Sequence, residues 1–121
     1  MTLGLGDNIY EVPLFTYIKD VQDICYIATG EDYCMAVQEI INPKSETKNY
    51  IYSFGSNSNG VLGYSGNFSS PQKIGYFDKI KIEQIVCGTD ICVFRSDTNQ
   101  LYITGSYSVC IDLFNNIKKK L

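Results

Sequence analysis

The sequence contains no histidine. Histidine is the commonest general base and the commonest metal ligand in proteins, so its absence argues against catalysis and against a metal site. No run of apolar residues reaches the ~18–20 needed to span a bilayer. Residues 1–7 have no basic region followed by an apolar stretch, which a secretory signal would need. We therefore expect a non-enzyme without cofactor, metal or membrane partner, in the cytoplasm or nucleus.

What the chain does contain is typical of a folded domain. It has 121 residues, of which 45% are hydrophobic and 19% charged, a composition outside the disordered range. The formal net charge of -3 argues against a surface that binds nucleic-acid phosphates, so we expect no nucleic-acid partner. Ten tyrosines and ten glycines favour strands joined by tight turns.

The cysteines do not form the regular pattern of a disulfide framework. They are odd in number and unevenly spaced, and we expect them to be small buried hydrophobic residues: Cys25, Cys34, Cys87, Cys92 and Cys110. The spacing Cys87-x-x-x-x-Cys92 lacks the partner ligands of a zinc finger.

The chain carries an internal repeat. The segment 28–32 (Ala-Thr-Gly-Glu-Asp) corresponds to 86–90 (Val-Cys-Gly-Thr-Asp) at an offset of 58. The segment 51–56 (Ile-Tyr-Ser-Phe-Gly-Ser) corresponds to 101–106 (Leu-Tyr-Ile-Thr-Gly-Ser) at an offset of 50. The change in offset falls within residues 40–49, a polar stretch suited to a loop. Because Asp32 and Asp90 occupy one repeat position, we expect them to cap turns.

Each copy of the repeat reads as a set of strands. Isoleucine, valine and cysteine predominate in near-continuous apolar runs, which predict strands covered on both faces. The predicted strands are 24–29, 33–38 and 49–54 in the first copy and 82–87, 91–95 and 100–104 in the second. Segments 14–18 and 72–77, each just after a proline, are candidate outer strands.

The most specific pattern is a glycine-rich motif of five positions at fixed spacing: Gly55, Asn57, Gly60, Leu62 and Gly63. A later proline and a strand ending in Gly88 follow, and Gly30 occupies the position of Gly88 in the first copy. This arrangement resembles the repeat of the regulator of chromosome condensation family, an RCC1-type β-propeller. We predict structural roles for these seven residues, since glycine allows sharp turns and asparagine can bond to a turn backbone.

The resemblance implies an all-β fold made of two four-stranded antiparallel blades of an incomplete propeller, which does not close a ring alone. The predicted repeats span 1–106, with units at about 3–55 and 56–106, and 107–121 form a degenerate repeat end with a basic tail. The chain begins inside a motif, so we expect a fragment or a truncated relative of a larger propeller, or self-association that completes the ring.

The sequence also departs from the family pattern. Tyr33 and Ile91 stand where the family has histidine, so a packing contact must be made differently. After Gly105 the glycine-rich motif is lost.

The resemblance implies a non-catalytic protein-interaction module. Loops at 40–49 and 64–70 are the expected contact segments, and the partner is unidentified. The alternative is part of a guanine nucleotide exchange factor that acts on a small GTPase.

Overall fold

The computed structural model describes residues 3–9, 11–41, 48–57, 60–64, 66 and 68–106. Within these residues lie seven β-strands and a turn of 3₁₀ helix. The strands are β1 (Ile24–Thr29), β2 (Tyr33–Ile40), β3 (Lys48–Gly55), β4 (Phe68–Lys73), β5 (Ile82–Cys87), β6 (Ile91–Ser96) and β7 (Leu101–Gly105). The helical turn, Gly75–Phe77, lies between β4 and β5.

The strands form two antiparallel sheets. The first blade has the strand order β1-β2-β3-β4, and the second blade has the order β5-β6-β7. In each blade three residues in a tight turn join the first two strands, and the third strand pairs along the second. The predicted all-β architecture of two antiparallel blades is confirmed, with three strands of the second blade in the described part of the chain.

The two predicted outer strands were wrong in position. Residues 14–18 form no strand, and Leu14, Phe15 and Tyr17 are exposed, with no strand paired to them among the described residues. The segment 72–77 is divided, because β4 ends at Lys73 and the helical turn follows. Pro71 lies within β4, at the edge of the first blade, where a missing N–H costs no ladder bond on the open side.

The strand β4 pairs with β3, so the first blade takes its outer strand from beyond the glycine-rich motif. A blade and a sequence repeat are therefore out of phase by one strand. The unit boundaries at 55 and 106 stay a prediction, and the predicted tail at 107–121 lies outside the described residues.

The hydrophobic core lies between the two blades. The first blade contributes Met35, Val37 and Ile51, and the second contributes Ile82, Ile85 and Phe94, all buried. The expectation that the strands would be covered on both faces was wrong for β1 and β5. Their outward side chains, Ile27 and Val86, are exposed because the described residues place a partner sheet on one face only.

Candidate functional site

The first element of the glycine-rich motif ends β3. Gly55 has φ +113°, and a Cβ at this position would lie 2.5 Å from the carbonyl oxygen of Asp32. Gly105 ends β7 with the same φ, and its Cβ would lie 2.0 Å from the carbonyl oxygen of Asp90. Neither the torsion nor the space admits a side chain. Both blades thus use glycine where the third strand passes the hairpin turn.

Asp32 and Asp90 act there through the main chain. The carbonyl of Asp32 accepts a bond of 2.8 Å from the N–H of Ser56, and that of Asp90 accepts one of 2.7 Å from Ser106. The predicted turn-capping role of the two aspartates stays a prediction.

Asn57 organises the loop that follows β3. Its side-chain oxygen accepts a 2.9 Å bond from the N–H of Leu62, and its side-chain nitrogen donates to the carbonyl of Tyr64. Gly60 and Gly63 have φ of +75° and +82°, which lets the loop turn twice within a few residues. The result places Leu62 in the core, fully buried.

The same loop is bonded to both blades. The hydroxyl of Ser53 on β3 donates to the carbonyl of Leu62 at 3.0 Å. The hydroxyl of Thr104 on β7 donates to the carbonyl of Val61 at 2.8 Å. The motif predicted from the sequence therefore forms a connection between the blades.

Tyr33 makes the most direct contact between the hairpins of the two blades. Its hydroxyl lies 2.7 Å from the carbonyl oxygen of Gly88 and 2.8 Å from that of Ile91. Gly30 leaves room for this ring, since a Cβ there would lie 2.0 Å from a ring carbon of Tyr33. Burial, together with the nearby Cys87 and Cys92, raises the pKa of the Tyr33 phenol, which stays neutral and able to donate.

Two further side chains of the first blade donate to the backbone of β5. The Tyr26 hydroxyl donates to the carbonyl of Ile85 at 2.9 Å, and the Asn49 amide donates to that of Ile82 at 3.4 Å. Sequence reasoning missed both. The internal repeat gave no signal for the Tyr26 contact, because Gln84 occupies the equivalent position in the second copy.

Equivalent positions of the repeat differ sharply in burial. Ile27 on β1 is 68% exposed, whereas its equivalent Ile85 on β5 is 2% exposed, because the first blade covers it. Leu101 on β7 is 59% exposed, whereas its equivalent Ile51 on β3 is 1% exposed, because the second blade covers it. Each blade therefore exposes to solvent the face whose equivalent is buried in the other blade.

A cleft of about 370 Å³ opens between the blades. Tyr26, Asn49, Lys81 and Arg95 are among its lining residues. The Asn49 side-chain oxygen is buried there and has no hydrogen-bond partner among the described residues. Nothing in the described chain groups three metal-ligating side chains together.

The two loops predicted as contact segments are only partly described. The loop at 40–49 lies largely outside the described residues, as do residues 65 and 67 of the loop at 64–70.

The helices within the described part include none with the length and apolarity needed to cross a membrane.

Comparison with known proteins shows what this chain resembles. Residues 48–95 match the regulator of chromosome condensation (RCC1) repeat. The structure is similar to that of Prp20p from Saccharomyces cerevisiae, studied for its binding to Gsp1p and histones, with a TM-score of 0.59 and 25% identity. It is equally similar to yeast RCC1 (Prp20) bound to Kap60, at 0.59 and 26%.

Both solved structures cover 72% of this chain, which spans 19% of theirs. A curated relative, Ras guanine nucleotide exchange factor C of Dictyostelium discoideum, is 36% identical over 61 residues. That match covers 46% of this chain and 4% of the relative. The predicted resemblance is confirmed: the chain is built of RCC1-like propeller blades.

Proposed function

We propose that this chain is a non-catalytic protein-binding module that works through the open faces of its two blades. The observation that supports the proposal is the difference in burial at equivalent positions. Ile27 is exposed where Ile85 is buried, and Leu101 is exposed where Ile51 is buried. A face that packs well in one blade is chemically suited to pack in the other.

The partner surface follows from what covers the buried equivalents. Ile85 is covered by a sheet face, and its carbonyl accepts a bond from the Tyr26 hydroxyl. Ile27 would therefore meet an apolar sheet face with a hydroxyl or N–H donor at its edge. Leu101 would meet a face like that of the second blade, which contributes Ile85 and Phe94 to the cluster that includes Ile51. The described chain itself carries both kinds of surface, so a second copy is a suitable partner.

Self-association provides the direct test. We expect size-exclusion chromatography with light scattering to show oligomers that increase with concentration, joined head to tail from the Leu101 face to the Ile27 face. Ile27→Asp and Leu101→Asp should each shift the distribution toward the monomer, because a buried unpaired carboxylate costs several kcal/mol.

Ile41→Asp is the matched control, because Ile41 belongs to the loop at 40–49 and its substitution separates association through that loop from association through the blade faces. Ile41 is 75% exposed but lies after the end of β2, outside both open faces. Equal effects of all three substitutions, or a monomer at every concentration tested, would contradict association through the blade faces.

A second candidate is regulation of a small GTPase. It is supported by the relative named a Ras exchange factor and by the structural similarity to Prp20p, a protein studied for its binding to Gsp1p. The test is nucleotide release from a panel of small GTPases with and without the chain. Acceleration over buffer would favour this candidate, and its absence would leave protein binding without exchange.

A further inference from the structure

Two thiols lie side by side at the end of the second blade's hairpin. Cys87 closes β5, Cys92 is the second residue of β6, and the two are directly opposite in the strand register. Their sulfur atoms are 3.1 Å apart. The first blade has no such pair, because threonine stands opposite Cys34.

The position in the ladder is suited to a covalent bond between them. The N–H of Gly88 bonds to the carbonyl of Ile91 at 2.7 Å, so this neighbouring pair is hydrogen-bonded. In an antiparallel ladder the next pair, Cys87 and Cys92, is then non-hydrogen-bonded, with Cα atoms about 4.5 Å apart. That separation lies within the range found in disulfides.

The surroundings give the two thiols different roles. Cys92 is fully buried, and Cys87 is partly exposed. The contact with Cys92 lowers the pKa of the Cys87 thiol despite its partial burial. The pKa of Cys92 is raised by the same contact and by burial. Cys87 is thus the attacking nucleophile, and Cys92 is the resolving thiol that reacts second.

We propose that Cys87 and Cys92 form a redox-active dithiol that closes to a cross-strand disulfide on reaction with hydrogen peroxide. The Cys87 thiolate attacks one peroxide oxygen, an S–O bond forms, the O–O bond breaks and the leaving hydroxide takes up a proton as water. The Cys92 sulfur then attacks Cys87, the S–S bond forms, the S–O bond breaks and the Cys92 proton leaves with the second water. The two sulfurs together lose two electrons, which reduce the peroxide.

The sequence allows a clean experiment on the intact chain. Trypsin releases the peptide 82–95, which contains Cys87 and Cys92 and no other cysteine. Cys25 and Cys34 fall together in the peptide 20–44. The folded chain is treated with hydrogen peroxide, its remaining thiols are alkylated, and the digest is examined by mass spectrometry.

We expect the peptide 82–95 to lose the mass of two hydrogens, to take up no alkylating agent and to recover both thiols after reduction. The rate of closure should fall roughly tenfold or more in denaturing urea, because the fold holds the sulfurs together. Cys92→Ser should leave a sulfenic acid on Cys87 that dimedone traps. Cys25→Ser should change nothing.

Other outcomes would overturn the proposal. One is a peptide 82–95 alkylated at both cysteines after peroxide treatment, and another is a disulfide that joins it to the peptide 20–44. A rate of closure unchanged by urea would show that the fold does not position the pair. The peptide map of the chain without substitutions tests disulfide formation even if a variant fails to fold.

Discussion

The two blades share one backbone plan but differ at the positions where a blade meets its neighbour. The first blade has Tyr33, which reaches across to two carbonyls of the second, whereas the second blade has Ile91 at that position. The second blade has Cys87 opposite Cys92, whereas the first has Thr29 opposite Cys34. Features set by backbone geometry recur in both blades, and features set by side-chain partners do not.

The largest effect is expected where the two blades are alike. Gly55→Ala and Gly105→Ala should each lower the free energy of unfolding by about 3 kcal/mol or more, because the torsion is unsuited to alanine and a carbonyl occupies the space of the Cβ. Gly60→Ala is the matched control, since its Cβ would meet nothing within 4 Å. It should cost about 1 kcal/mol for the positive φ alone. Urea denaturation measures all three, and a Gly60→Ala variant as unstable as Gly55→Ala would refute the steric explanation.

A smaller effect is expected where the blades differ. Tyr33→Phe keeps the ring but removes the donor to the second blade, and we expect a loss of about 1–2 kcal/mol. Tyr102→Phe is the control, because its hydroxyl bonds to the exposed side chain of Gln100 two residues away. That variant should lose less than about 0.5 kcal/mol. Urea denaturation of both variants is the measurement, and equal losses would mean that the inter-blade bond contributes nothing.

The smallest effect is a dependence on pH. The pKa of Tyr33 is raised in the folded chain, first by burial and then by the neighbouring thiols. Above about pH 10 the unfolded chain loses this proton while the folded chain keeps it, so stability falls as pH rises. The difference in unfolding free energy between the unmodified chain and Tyr33→Phe should therefore shrink above about pH 10. A constant difference would show that Tyr33 titrates alike in both states.

The sequence predicted the parts of the fold that depend on local pattern. Strands β1 and β5 begin and end as predicted, because a glycine directly follows each and a short apolar run fills it. The positions of Gly55 and Asn57 marked the loop that joins the blades. These residues are recognisable because backbone torsion and the bonding of a turn admit few alternatives.

What the sequence did not predict depends on packing between distant segments. Nothing in the sequence of residues 14–18 indicates that they form no strand in the structure. Leu101 and Ile51 are both aliphatic residues of a third strand, yet one is exposed and the other is in the core. The register of the predicted hairpin places Cys87 opposite Cys92, so this pairing could have been predicted from the sequence.

The placement of the core bears on how the chain unfolds. Most buried apolar side chains of the described residues belong to one cluster that both blades share. In a nearest-neighbour description the coupling between the units is large and the intrinsic stability of each unit is small. We therefore expect the two blades to melt in a single step.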